Sequence, residues 1–197
     1  MSTIRNIKDL NQIQLGLPPW ITEIKVPEAS KFQEQEERMR FVIMLSKMNV
    51  DHGTGGPFGA AIFNMKTHEL VSMGVNVVIS EKCSMAHAEI MALMLAQKKL
   101  GKFSLNLSQQ NSYELVTSSE PCAMCFGAIL WSGVKCCSSG ARAEDVSEIG
   151  FDEGDKPSRW NESLEKRGIT LIEDVCRQEA KDVLEFYVEK NGRIYNG

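Results

Sequence analysis

His87-Ala88-Glu89 and Pro121-Cys122-Ala123-Met124-Cys125 gather one imidazole, two thiols and one carboxylate into two short motifs. Three soft ligands suit a zinc ion, one fewer than the four protein ligands of a structural zinc site. An open fourth position admits water, and the spare carboxylate of Glu89 can then move protons. Taken alone, the C-x-x-C is compatible with zinc or with a thiol redox couple, and the H-x-E with a solvated helix start. The conjunction is more specific, because each half opens an apolar segment of helical pattern and follows a strand-like run. Thiolates are favoured at a helix N-terminus, where unpaired N–H groups and the dipole stabilise negative charge. Cys122 and Cys125, three apart in a first turn, can point at one ion.

The whole chain must supply the strands and helices that aim these groups. Its 197 residues, 43% of them hydrophobic, are expected to bury one core as a single domain, 1–197. A net charge of −4 gives no global basic footprint, so nucleic acid is not the expected partner. No apolar run approaches the roughly 20 residues of a membrane span. Met1-Ser2-Thr3-Ile4-Arg5 lacks the apolar stretch of a signal peptide, which points to the cytoplasm. Cys136 and Cys137 are adjacent in a strand-like run and point to opposite faces, so free thiols are expected.

Along the chain, Pro18-Pro19 marks an irregular N-terminal arm over 1–27. Phe32, Met39, Phe41, Val42, Met44 and Leu45 recur near helical spacing and predict a helix over 28–50. A catalytic core spans 55–175. It starts with strands over 58–63 and 70–79, joined by a turn into a hairpin. The run Gly53-Thr54-Gly55-Gly56 lacks the Gly-Lys-Ser/Thr ending of a phosphate loop and precedes a strand. Next come a helix over 85–99 closed by Gly101, a strand over 113–117 and a helix over 122–131 ended by Gly133. Strands over 134–139 and 169–175 complete the core, and 176–197 form a C-terminal helix and tail. Helices on both faces of such a sheet make an α/β fold, a three-layer α/β/α sandwich. The motif residues all sit where strands give way to helix N-termini, the crevice in which open α/β sheets hold ligands.

H-x-E followed by P-C-x-x-C is the pattern of zinc-dependent base deaminases, and on it the chain resembles the cytidine deaminase superfamily. Gly55-Gly56-Pro57-Phe58-Gly59-Ala60, the segment 117–131 and Glu148-Ile149-Gly150-Phe151-Asp152-Glu153 further resemble bacterial guanine deaminases and plant guanosine deaminases. The resemblance covers 55–153, roughly half the chain, and extends more loosely to Tyr195. It implies a mixed five-stranded sheet and one Zn2+ per subunit on His87, Cys122 and Cys125. Glu89 is implied as general acid and base, and Glu153 as the acid that contacts the base and helps relay protons. It also implies Phe58 stacking on the base, Asn76 hydrogen-bonding it, and Tyr195 as an aromatic near the C-terminus at the site. A homodimer is implied too, in some relatives with exchanged C-terminal segments.

Chemistry of the base supports a purine. Guanine presents its leaving amine beside the N1–H donor, and a carboxylate can accept from both. Residues 143–155 hold six acids, Glu144, Asp145, Glu148, Asp152, Glu153 and Asp155. Most of these read as a solvated helix face and loop. Phe58 reads equally as a core phenylalanine, and Asn76 as a sheet-end backbone contact. His52 and His68 fall in turns, away from the ligand set. Trp20, Trp131 and Trp160 read as packing residues, Trp160 near enough to the acidic loop to cover a pocket. The expected reaction is hydrolysis of guanine to xanthine and ammonia. Guanosine, ammeline and tRNA adenosine are the alternative substrates, and a zinc-stabilised binding module is the non-enzyme alternative.

Overall fold

Ala60 and Ile62 of β1 (Gly59–Asn64) belong to one apolar cluster, and Ala61 and Phe63 to another. Side chains of a strand alternate between faces, so a strand buried along its whole length needs cover on both. The computed structural model, which describes residues 13–107 and 110–196, supplies that cover. Residues 1–12 of the expected arm and Gly197 of the tail lie outside the described residues.

The sheet runs β2-β1-β3-β4-β5, with β2 at Leu70–Val75, β3 at Tyr113–Ser119, β4 at Cys136–Ala141 and β5 at Thr170–Ile172. β1 pairs antiparallel with β2 and with β3. β3, β4 and β5 are parallel, which gives the mixed five-stranded sheet. One face carries α1 (Gln35–Asp51) through Met39, Val42 and Leu45, and α7 (Arg177–Glu189) through Ala180, Val183 and Leu184. The other carries α3 (Ala88–Leu100), α4 (Ala123–Ser132) and α6 (Trp160–Glu165) through Ala92, Leu93, Phe126, Ile129 and Leu164. A buried charge registers α1 on the sheet: Arg38 Nε lies 2.9 Å from Glu114 Oε2, while Ser138 Oγ donates to Glu114 Oε1.

Several element limits differ from the sequence expectation. The helix expected over 28–50 begins at Gln35, after a 3-10 turn at Ala29–Phe32 and an extended Glu34. Phe32 is 2% exposed in that turn and packs on Phe41 and Phe63, so tertiary contacts break the helical run. β2 stops at Val75 instead of 79, and the apolar continuation forms a single helical turn, α2 (Val78–Glu81). Asn76 Oδ1 accepts from Val78 N at 3.2 Å, a local bond that competes with the strand ladder. β4 starts at Cys136, and β5 keeps just three residues because Asp174 and Cys176 adopt left-handed backbone. Within the acidic segment, α5 (Ala143–Glu148) is not uniformly solvated: Asp145 is 2% exposed and paired bidentately with Arg177.

Candidate active site

Two helix starts converge beyond the ends of the central strands. Gly74 lets α3 lie directly against β2, since an added Cβ would overlap the carbonyl oxygen of Ala88. His87 occupies the N-cap of α3 with extended backbone, and Glu89 is the second helical residue. Cys122 occupies the N-cap of α4, and Cys125 lies in its first turn. The His87 side chain makes no capping bond to α3, and Cys122 meets its own helix at Cys125, so imidazole and thiols face one another. His87 Nδ1 lies 3.5 Å from Cys122 Sγ and 3.7 Å from Cys125 Sγ. All three ligand atoms fall within 4.8 Å of one another, a spacing that one zinc ion can bridge.

Electrostatics favour a cation there. A hydrogen bond from Cys125 drops the Cys122 thiol to about 4, against burial and helped by His87. Cys125 moves well above the ordinary thiol value, through its bond to Cys122 and its burial. One thiolate is thus already held, and metal ligation takes thiolates. Burial pushes the Glu89 carboxyl up, and the Cys122 charge adds to this. Glu153 rises to about 8, by burial first and then by Cys122 and Glu89, with Lys156 opposing.

His87, Cys122 and Glu89 open onto a cavity of about 430 Å³, with Cys125 buried behind them. Phe58, Asn76, Glu153 and Tyr195 line the same cavity, so the sequence-derived residues meet in one place. Tyr195 donates its hydroxyl to Asn76 Oδ1 at 2.6 Å. That acceptor is therefore occupied, and the Asn76 NH2 is the end left to donate. Glu153 Oε2 is buried and has no hydrogen-bond partner among the described residues. A buried acceptor without a donor is costly unless a ligand supplies one.

Other contributors were not singled out from the sequence. Phe151 packs edge-on against Phe58 at 5.2 Å and Tyr195 at 5.1 Å, so it joins core strand, loop and tail. Its only signal was its place inside the Gly150-Phe151-Asp152-Glu153 segment. Ala123 N donates to the Glu153 carbonyl at 2.9 Å, which seats the acidic loop on the start of α4. Lys156 Nζ pairs with Glu120 and donates to the Pro121 carbonyl at 2.9 Å, fixing the loop beside Cys122. Trp160 does not cover the cavity. It packs on Phe126 and under Lys156, because α6 points it into the apolar layer. His52 stacks on Trp20, and His68 sits in the β1–β2 turn, both away from the zinc ligands.

A profile of the cytidine and deoxycytidylate deaminase zinc-binding region matches residues 32–141. Guanine deaminase of Bacillus subtilis is 36% identical over 129 residues, covering 62% of this chain and 78% of that protein. A Nitrosomonas europaea guanine deaminase mutant in complex with 8-azaguanine is 41% identical, with a TM-score of 0.83. That match covers 90% of this chain and 98% of the other. The same bacterial protein in complex with 2,6-diaminopurine is 42% identical with a TM-score of 0.84, covering 93% and 96%.

Proposed function

This chain belongs to the cytidine and deoxycytidylate deaminase family, and within it we propose that it catalyses zinc-dependent hydrolytic deamination of guanine to xanthine and ammonia. The observation that carries the choice of base is the unpartnered Glu153 Oε2, aligned in one cavity with Glu89 and the zinc ligands. His87, Cys122 and Cys125 hold the ion. Bound there, zinc brings the pKa of a coordinated water toward neutrality. Glu89, 5% exposed, takes a proton from the water that attacks C2 and returns it to a ring nitrogen. A second proton, from the new C2 hydroxyl, passes to the amine with the help of Glu153; the C2–N bond then breaks, releasing ammonia and leaving the C2 carbonyl of xanthine. As a carboxylate, Glu153 accepts from N1–H and the amine. Asn76 donates to the acceptor edge of the base, while Phe58 and Phe151 form an aromatic wall.

Residues 1–197 are read as one domain, since the described arm packs on the same apolar cluster as α1 and α7 and the tail lines the cavity. No described helix is long and apolar enough to cross a membrane. The six cysteines are free, in keeping with a cytoplasmic protein. A homodimer is supported by the face of α4 that carries Met124, Gly127, Ala128 and Trp131, the last 82% exposed. Ammonia release from guanine, guanosine, cytidine, adenine and ammeline, measured alongside zinc content, tests the reading. Guanine should have the highest kcat/KM; a higher value for cytidine or adenine would remove the guanine assignment and leave the zinc chemistry.

A further inference from the structure

Asn49, in the last turn of α1, is fully buried and is not among the residues lining the cavity. Its Nδ2 donates to the carbonyl of Gly56 at 2.8 Å and to that of Asn76 at 2.8 Å. Its Oδ1 accepts the Thr54 hydroxyl at 2.7 Å, and Thr54 Oγ1 accepts the indole N–H of Trp20 at 3.0 Å. Trp20 is 6% exposed and stacks on His52 with ring centroids 5.2 Å apart. One hydrogen-bonded line thus runs from the N-terminal arm to two backbone segments at the cavity.

Those segments carry the base-binding groups. Phe58 N donates to the Gly56 carbonyl at 2.8 Å, and Asn76 N to the Phe58 carbonyl at 3.1 Å. Gly55 touches the second segment so closely that an added Cβ would overlap the Asn76 carbonyl oxygen. A primary amide is suited to this junction, offering two donors and an acceptor in one plane. An apolar residue would leave two buried carbonyls without their donor, and a carboxylate would set oxygen against oxygen.

We propose that Asn49 is a positioning residue for base recognition, setting Phe58 against Asn76, and that the arm orients it through Trp20 and Thr54. This rests on the guanine reading above. The zinc ligands stand on α3 and α4, outside the line, so metal content should not respond.

Asn49→Asp and Thr54→Val, each alone and combined with Asn76→Ala, test it through steady-state kinetics on guanine. Asn49→Asp should raise KM about tenfold or more with kcat and zinc content near parent values, the pattern of lost uniform binding. Thr54→Val should raise it about threefold to tenfold, on the scale of one buried hydrogen bond. In the Asn76→Ala background both effects on kcat/KM should largely vanish, since residues acting through one another are non-additive. Full additivity, or a parent KM in folded Asn49→Asp protein, would overturn the proposal. Should Asn49→Asp fail to fold, the Thr54→Val cycle alone decides it. Amide exchange at Phe58 and Asn76 separates this from the substrate assignment. It should accelerate in either variant whichever base is turned over, and unchanged exchange also overturns the proposal. A parent enzyme inactive on guanine would instead sink the substrate reading.

Discussion

Of the carboxyls that line the cavity, Glu89 and Glu153 have surroundings that give them different tasks. Glu89 stands two residues from the N-cap ligand His87, whereas Glu153 hangs from a loop seated on the start of α4. Glu89→Gln preserves shape but cannot accept a proton. It should keep zinc and fold while kcat falls by at least about 10²-fold, the usual scale of general acid–base catalysis; near-parent turnover would remove Glu89 from the mechanism. Glu153→Gln should weaken guanine selectively, because its NH2 opposes the donors of the base. Unpaired buried groups cost about 1–3 kcal/mol each, or roughly ten- to hundredfold in kcat/KM. An equal loss on an alternative substrate lacking that donor pair would point to general damage instead. The zinc ligands and Glu89 were legible because ligand chemistry fixes both residue type and spacing. Phe151 and Asn49 were not, since an aromatic in a loop and an amide in a helix carry no periodic or motif signal. Their roles come from contacts far apart in sequence, such as Asn49 with Asn76.

At the level of elements, hydrophobic period identified each strand and long helix but misplaced several ends. The helical spacing of Phe32 and the apolar run 77–79 would continue their elements, and tertiary packing of Phe32 and the side-chain bond of Asn76 stop them. Charge patterning misled at α5, where one of its three acids turns inward. Asp145 accepts from the Arg142 backbone at 2.9 Å and from the Arg177 guanidinium at 2.8 and 2.9 Å, which locks α5 to α7. The guanidinium bond is the main cause holding Asp145 near 2, below the ordinary 3.8. A depressed folded pKa means that the stabilisation is complete above about pH 4 and disappears as pH falls through about 2. Exposure of Arg177 at 34% screens the pair, so Asp145→Asn should cost about 1–2 kcal/mol at neutral pH. The difference in chemical-denaturation free energy between parent and variant should shrink toward zero near pH 2. A gap that stays constant with pH would show that the charge is not the source.

Among the described residues, three large apolar side chains of α3, α4 and the segment after α3 stand uncovered. Trp131 on α4 is 82% exposed, Phe103 84% and Met94 on α3 46%. Gln97 Nε2 donates to the Phe103 carbonyl, which holds that segment against α3, and α3 packs on α4. Aromatic side chains bury about 150–250 Å² each, and with their neighbours they approach the roughly 800 Å² per partner of a standard interface. In the proposed homodimer, Trp131→Glu should give a monomer where the parent sediments as a dimer, while a parent-like dimer mass would place the interface elsewhere.

We propose that each tail serves its own subunit, from how it leaves α7. Tyr187 donates its hydroxyl to the Arg193 carbonyl at 2.7 Å, and Gly192 lies so close to the Tyr187 ring that any side chain would overlap it. The chain is thereby turned back toward its own core. Asn196 then bonds the acidic loop, its Oδ1 accepting from Asp152 N at 2.9 Å and its Nδ2 donating to the Gly150 carbonyl. With Tyr195 on Asn76, three short bonds close the cavity from within one chain, and an exchanged tail would have to unwind that turn to make them elsewhere. Removing 193–197 should thus lower kcat/KM far more than stability, since the segment covers the site and adds little core. Mixing the truncated protein with full-length Glu89→Gln protein decides the question. One partner then lacks a tail and the other lacks the general base. A tail that closes its own site cannot rescue the truncated partner, so ammonia release should stay at the level of the separate proteins. Recovery of activity in the mixed dimer would show that tails cross between subunits.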